Sequence, residues 1–172
     1  SWSICSCAEF GLVRQCRLEA LGDAPVRVRY LDGWHQLIAP GLTVSHTSNV
    51  SYLALAYLRH DLQPRSRLGI YTLNAAISDR PEAAESLRAA AAWSIGHPHP
   101  AVLLSTLQLE AFRRGERVRT EPEVRGEFGA YLVADEVRVT ARRPHAWTTA
   151  ADTWLDHAAL VAAYMVAKPG AR

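Results

Sequence analysis

The chain has 172 residues, of which 49% are hydrophobic and 21% charged, a balance that fits one globular domain with a substantial core. Its net charge of +2 is small and its basic residues are spread along the sequence, which argues against a nucleic-acid partner. No apolar run reaches the ~18 residues that a membrane-spanning helix needs, and the first residues lack the pattern of a secretory signal. We therefore expect a protein with no nucleic-acid or membrane partner and a cytoplasmic location.

The three cysteines, Cys5, Cys7 and Cys16, lie near the start of the sequence. An odd number in this spacing does not form a disulfide framework, and a Cys-x-Cys pair without further cysteines is not a zinc site. Cys16 falls in an alternating segment and is predicted to be a small buried apolar residue. The sequence thus predicts no metal site and no cofactor.

The first predicted elements are strands. Apolar and polar residues alternate over 10–21 and again over 26–30, with turn residues between them, so these two segments predict an antiparallel hairpin. Asp32 and Gly33 are predicted to form a tight turn that bends the chain into a further strand over 34–38.

The middle of the chain is less regular. Helical spacing over 50–58 predicts a helix, although alternate residues of the same stretch also fit a strand. An apolar strand is predicted over 68–77. Residues 82–95 contain strong helix formers, but neighbours in a sheet can override such a propensity, so a strand over 87–94 remains open.

The C-terminal part combines strands and helices. Residues 96–100 form a predicted rigid connector, and 102–104 a short strand. A helix is predicted over 106–114, with Gly115 at its end. Residues 124–140 predict a second hairpin, and 153–166 predict an apolar helix that leads out of the domain.

These elements predict a mainly β fold, namely an antiparallel twisted β-sandwich with a few short helices and a C-terminal linker helix. The sandwich domain is expected to span residues 9–145, after a frayed or truncated start over 1–8. Residues 146–172 are expected to form an exit strand and the linker helix, pointing toward a missing domain.

Five sequence strings carry a resemblance to a known family: YLDGW at 30–34, LGIYTL at 68–73, DRPEAAESLR at 79–88, WS at 93–94 and RGEFGAYL at 125–132. Together they resemble the N-terminal β-sandwich region of cellobiose phosphorylases and related (α/α)₆-toroid carbohydrate enzymes, which are very large bacterial proteins. The resemblance extends over roughly residues 9–165, and its motifs are structural in character.

The resemblance implies a larger protein in which separate domains have separate roles, and this chain contains only some of those domains. In that family the sandwich precedes a linker helix and a helical toroid, and the toroid carries the catalytic acid. Residues 152–157 would correspond to the exit into the linker. The toroid is therefore the expected partner domain, and the resemblance assigns no catalytic residue to this chain.

One corner has the chemistry of a sugar-binding site. Asp32 and His35 flank Trp34, and an aromatic face can stack on a pyranose ring while polar groups bind its hydroxyls. The alternative is a tight Asp-Gly turn followed by a core tryptophan, and we favour that structural interpretation.

Three other groups of polar residues are candidate sites, and each has a simpler structural interpretation. On a helix, Asp152 and Asp156 would share a face beside His157, but acidic residues in a first turn also favour the helix dipole. A metal site at His97 and His99 lacks further ligands, so an exposed connector is favoured. The run 79–82 reads as a turn with charge pairing.

Two functional hypotheses follow. In the first, the chain is a non-catalytic segment of a glycoside phosphorylase or hydrolase, and it docks on the toroid through an apolar patch around Trp147, Trp154, Leu155 and Leu160. In the second, it is a self-standing carbohydrate-binding or protein-interaction module with an exposed aromatic platform at Trp34, and its partner could be an oligo- or polysaccharide. An independent hydrolase ranks third, because neither a nucleophile nor an acid pair stands out.

Overall fold

A computed structural model of the chain describes residues 1–42, 53–74 and 87–168. Within them, ten strands and three short helices follow one another in this order: β1 (Trp2–Cys7), β2 (Gly11–Leu18), β3 (Val26–Leu37), α1 (Leu53–Ala56), β4 (Leu58–Leu62), β5 (Gly69–Leu73), β6 (Ala89–Ile95), β7 (Ala101–Leu103), α2 (Leu109–Arg113), β8 (Glu123–Arg125), β9 (Gly129–Val139), β10 (His145–Leu155) and α3 (His157–Ala167).

The strands form two antiparallel sheets. Seven strands make sheet A, in the order β1-β2-β10-β6-β5-β4-β8, and three make sheet B, in the order β3-β9-β7. The main core cluster lies between the sheets and joins Tyr71 and Ala92 of sheet A to Val102, Tyr131 and Val133 of sheet B. The predicted mainly β, sandwich-like architecture is confirmed.

Both predicted hairpins are wrong. The two segments of the first one are strands, but β2 pairs with β1 and β10, whereas β3 pairs with β9 in the other sheet. The second predicted hairpin separates into β8, which pairs with β4, and β9, which pairs with β3 and β7. The turns identified in the sequence are thus crossings between sheets.

Gly33 does not form the predicted turn. It lies inside the long strand β3, opposite Leu132, with a φ of 151°. A Cβ at this position would lie 1.9 Å from the carbonyl oxygen of Tyr131, so only glycine allows β3 to approach β9 this closely.

The strand alternative for residues 87–94 is confirmed. The run of alanines forms β6, in the middle of sheet A between β10 and β5. Their small side chains are buried on both faces of the sheet, toward the sandwich core and toward α3. Neighbouring strands therefore override a local preference for helix.

The predicted middle helix is found only as the short α1, because Leu58 already begins β4. Residues 43–52 and 75–86 lie outside the described part, and with them the rest of this prediction and the run 79–82. Residues 1–8 were expected to be frayed, yet Trp2–Cys7 forms β1, which is paired with β2 along its full length.

The C-terminal helix α3 packs on the outer face of sheet A. Asp156 caps it by accepting a hydrogen bond from the backbone N–H of Ala159 at 3.0 Å. Ala163 and Ala167 are buried against a cluster that includes Ala91 and Trp93 of β6. In the described part of the chain, no helix has the length and apolar character needed to cross a membrane.

Candidate functional site

The most extensive group of interacting polar side chains lies between the sheets where β3 crosses β2 and β10. We call this group the Tyr30 network; it consists of Arg14 and Cys16 of β2, Tyr30 and Asp32 of β3, His97 after β6, and His145 and Trp147 of β10. Alternation along β3 points Tyr30 and Asp32 into the sandwich, and the register places Cys16 directly opposite Trp147.

Asp32 is the centre of one half of the network. Its carboxylate accepts a hydrogen bond from Trp147 Nε1 at 2.7 Å and forms an ion pair with Arg14 at 2.8 Å. The thiol of Cys16 donates to the same carboxylate at 3.2 Å. Burial, reinforced by this hydrogen bond, raises the pKa of Cys16, so the sulfur remains a thiol and not a nucleophilic thiolate.

Tyr30 is the centre of the other half. Its hydroxyl lies 2.8 Å from Nδ1 of His97 and 3.0 Å from Nε2 of His145, and its ring stacks on Trp147 with centroids 4.5 Å apart. Because a phenol carries one hydrogen, Tyr30 donates to one imidazole and accepts from the N–H of the other. The three side chains therefore form one hydrogen-bonded chain.

The charge state of this chain follows from its burial. Burial lowers the pKa of His97 to about 4 and also lowers that of His145. Burial, followed by the nearby Asp135 and Asp32 carboxylates, raises the pKa of Tyr30. All three groups are consequently neutral at pH 7, and the network joins the two sheets without burying an unpaired charge.

The hydrogen-bonded chain of Tyr30, His97 and His145 lies outside the lining of the adjoining cavity. The adjoining cavity of about 610 Å³ touches Cys16 and Trp147, whereas Tyr30, His97 and His145 are not part of its lining. General acid–base catalysis requires the acid or base within hydrogen-bonding distance of the substrate. The geometry of the network is that of a structural connection between sheets.

The predicted sugar-binding corner is not assembled. Asp32 is occupied by the network, and Trp34 is half-buried against the main core cluster. His35 is exposed, but it follows Trp34 directly in the strand and therefore points to the opposite face. The aromatic platform expected at Trp34 is absent, and the structural interpretation of that tryptophan is the better one.

The four predicted docking residues have different environments. Trp147 is buried in the Tyr30 network and cannot dock on anything. Leu155, at the end of β10, and Leu160, in α3, are half-buried and pack against the cluster around Trp93. Trp154 is 63% exposed and has a φ of 61°, an uncommon backbone conformation for a bulky residue.

The other candidate groups have structural roles. Asp152 lies in β10, so it does not share a helix face with Asp156, which is the N-cap of α3. His97 is half-buried, contrary to the expectation of an exposed connector, while His99 is exposed. Residues 1–42, 53–74 and 87–168 contain no group of three or more His, Cys, Asp or Glu residues able to hold a metal ion.

The exposed face of α3 is an unusual surface. The sequence of this helix, HAALVAAYMVA, contains no Asp, Glu, Lys or Arg. One side is buried on sheet A, while Val161, Met165 and Val166 on the other side are 49%, 56% and 42% exposed. A helix that is apolar on all sides is usually buried on all sides.

Sequence reasoning did not identify the Tyr30 network. Its members come from four separate segments, and in the sequence only the alternation around Tyr30 suggests an inward-facing polar group. Comparison with known proteins adds no identity, since no protein-family model and no curated protein matches the chain.

Proposed function

We propose that the chain is a non-catalytic β-sandwich module of a larger carbohydrate-active enzyme, and that it supports a helical catalytic domain through the outer face of α3. The observation that carries this proposal is the uncharged, exposed face formed by Val161, Met165 and Val166. Fully burying an apolar side chain of this size contributes about 1.5–3 kcal/mol relative to leaving it exposed, so covering these three half-exposed side chains together would favour docking.

The surface also has the right shape for another helix. Val161 and Met165 are four residues apart and form a ridge, and Ala158 and Ala162 form a neighbouring row of small side chains. Ridges and grooves of this kind allow helices to pack about 8–10 Å apart. A helical toroid, as the family resemblance suggests, would present suitable helices to this face.

Trp154 supports the same assignment. A β-bulge between Asp152 and Leu155 interrupts the pairing of β10 with β6, and Trp154 lies inside it with its strained backbone and exposed indole. Bulges often redirect a side chain toward a functional surface. Since Trp154 lies two residues before Asp156, the cap of α3, it extends the proposed docking surface toward the start of the helix.

The Tyr30 network supports a non-catalytic role. Glycoside hydrolysis ordinarily needs two carboxyl groups about 5–10 Å apart on either side of an accessible sugar. The inward-facing carboxylate of Asp32 is instead bound by Arg14, Cys16 and Trp147.

The test begins with the gene. We expect the reading frame that encodes this chain to encode a helical domain of several hundred residues as well, and its absence would refute the proposal. Calorimetry between this chain and that domain should then show binding that Val161→Lys with Met165→Lys abolishes. Leu107→Lys, which changes an exposed apolar residue elsewhere, is the matched control.

A second candidate, a carbohydrate-binding module, is favoured by the cavity of about 610 Å³. Strand alternation directs Ser3, Gln15, Arg17 and Thr148 to its outward side, where hydroxyl, amide and guanidinium groups could bind sugar hydroxyls. Titration with a panel of glucans should then release heat that Gln15→Ala reduces. The absence of heat with every glucan would exclude this candidate.

A further inference from the structure

The two lateral ends of the sandwich expose different strand edges. At one end, which we call the sealed end, lie β7 of sheet B and β8 of sheet A. At the other, which we call the open end, lie β3 of sheet B and β1 of sheet A. An unpaired strand edge is a template for pairing with another chain unless the protein protects it.

The sealed end is protected by its own chain. Val102 in β7 donates its N–H to the Thr120 hydroxyl, and its carbonyl accepts from the N–H of Glu121. The Glu121 carboxylate accepts hydrogen bonds from the backbone of Leu104 and Ser105 at 2.8 and 2.9 Å. The other edge, β8, is only three residues long and contains Glu123 and Arg125.

At the open end, the edge strand β1 lacks such protection. The sequence of β1, WSICSC, contains no charge and no proline. Ser1 and Arg17 exchange both backbone hydrogen bonds, so antiparallel alternation directs the N–H and C=O groups of Trp2, Ile4 and Ser6 away from β2. These groups form an edge that is available for pairing.

The open end also leaves part of the sandwich interior uncovered. Trp2 is opposite Cys16 and Ile4 is opposite Arg14, so both point to the same face as the buried core. Nevertheless, Trp2, Ile4 and Leu12 are 67%, 49% and 48% exposed.

This exposure follows from the position of β3. Asp32 and Tyr30 place β3 above β2 and β10, which leaves β1 projecting beyond it. Among the described residues, no strand pairs with the outer edge of β3, at the place where one would cover Trp2 and Ile4, and Arg14 donates to the carbonyl oxygen of Gly33 in β3 at 3.5 Å.

We propose that the open end is an interface between two copies of this chain, in which β1 of each copy occupies the vacant position beside β3 of the other. A two-fold axis parallel to the strands produces this arrangement. It joins sheet A of each copy to sheet B of the other and packs Trp2 and Ile4 of both copies together.

The chain itself indicates why a second copy fits. The vacancy is one strand wide, and β1 projects by one strand, so the projection of one copy matches the recess of the other. The contacts of Tyr30 with His145 and of Asp32 with Trp147 show that β3 runs in the same direction as β10, and therefore as β1. β1 would therefore pair with β3 as a parallel edge strand.

The experiment is sedimentation or light scattering of the chain over a range of concentrations, combined with hydrogen exchange. We expect a monomer–dimer equilibrium in which dimerisation protects the amides of residues 2–6 and of β3. Ile4→Lys should shift the equilibrium to monomer by at least tenfold, because it places a charge in the new interior. Ser3→Lys, on the opposite face of the same strand, should leave dimerisation intact.

Each other outcome overturns the proposal. If the chain is a monomer at every concentration, the proposed interface does not exist, even if an added peptide binds the open end. A dimer that Ile4→Lys does not weaken uses another surface, or joins the two β1 edges while Ile4 stays exposed. Circular dichroism checks that the variants fold, and exchange in the wild-type protein gives the answer if they do not.

Discussion

The sealed and open ends of the sandwich solve the same physical problem differently. Both contain strand edges whose N–H and C=O groups need partners. At the sealed end, Glu121 and Thr120 supply those partners from within the chain. At the open end, β1 presents apolar side chains and unpaired backbone groups without a charged residue. The difference shows that one fold can have an edge built for stability and another suited to association.

The largest expected effect is at the sealed end. Glu121→Ala removes the acceptor for the backbone N–H groups of Leu104 and Ser105, for the Ser105 hydroxyl and for Gln108 Nε2. Leaving such donors unpaired should lower the free energy of unfolding by about 3 kcal/mol, measured by urea denaturation. Glu121→Gln retains an acceptor oxygen and should cost clearly less. Equal losses in both variants would contradict this role of the carboxylate.

Low pH should destabilise the packing of β3 on sheet A at the open end, because the Tyr30 network joins β3 to sheet A there. The pKa of His97 is about 4 in the folded protein, against 6.5 as its ordinary value, so the unfolded chain binds more protons between these values. Stability should therefore be fully present above pH 6.5 and fall as the pH drops toward 4. Since His97 is partly exposed, we expect a contribution on the order of 1 kcal/mol.

The groups around His97 make this titration specific. Asp135 and Asp32 favour its charged form, while His145 and Arg67 oppose it. Denaturation of the wild type and of His97→Gln at pH 7 and pH 4.5 isolates the effect, because other titrating groups are common to both. If the two proteins lose the same stability on acidification, His97 is not responsible.

Shortening an apolar side chain in β1 should have little effect on the free energy of unfolding. Ile4→Ala in the monomer should lower the free energy of unfolding by less than about 1 kcal/mol, because the side chain is 49% exposed and little buried area is lost. Denaturant titration at low protein concentration measures this. A loss as large as that expected for Glu121→Ala would show that the open end contributes equally to stability.

The substitutions with the smallest expected effect on stability remove the charges that protect β8 at the sealed end. Glu123→Val with Arg125→Val removes an exposed ion pair of 2.6 Å from β8 and should alter the free energy of unfolding by less than about 0.5 kcal/mol. It should nevertheless promote association, visible by light scattering, because the charges on the edge are gone. If the variant associates no more than the wild type does, the charges are not what protects β8.

The sequence was most informative where a structural signal is local. Alternation identified β2 and the first part of β3, and Gly115 follows the end of α2 with a φ of 84°. Asp156 was interpreted as a residue that favours the helix start, and it is the N-cap of α3. Each of these features depends on residues within a few positions of one another, so a window of sequence contains all the information needed.

The environment of the candidate site residues could not be predicted from such local patterns. Trp147 was expected on the surface and is buried against Tyr30, because the partner ring comes from a strand of the other sheet. Trp34 packs on the core, as the favoured structural interpretation of the sequence held, while the exposed platform belonged to the alternative hypothesis. Periodicity indicates which face a side chain takes, but which face is covered depends on residues more than a hundred positions away.

By itself, the sequence determined the mainly β class of this protein and the approximate positions of most described strands, since backbone propensity and alternation act over short distances. It predicted the last helix from residue 153, whereas β10 continues to Leu155 and α3 begins at His157. Only the tertiary structure decided which strands are neighbours, that the alanine run of β6 is a strand, and that Tyr30 joins His97 and His145. Those outcomes arise from burial and hydrogen bonding between distant segments, whose free energies exceed the local preferences and become defined only once the two sheets have packed together.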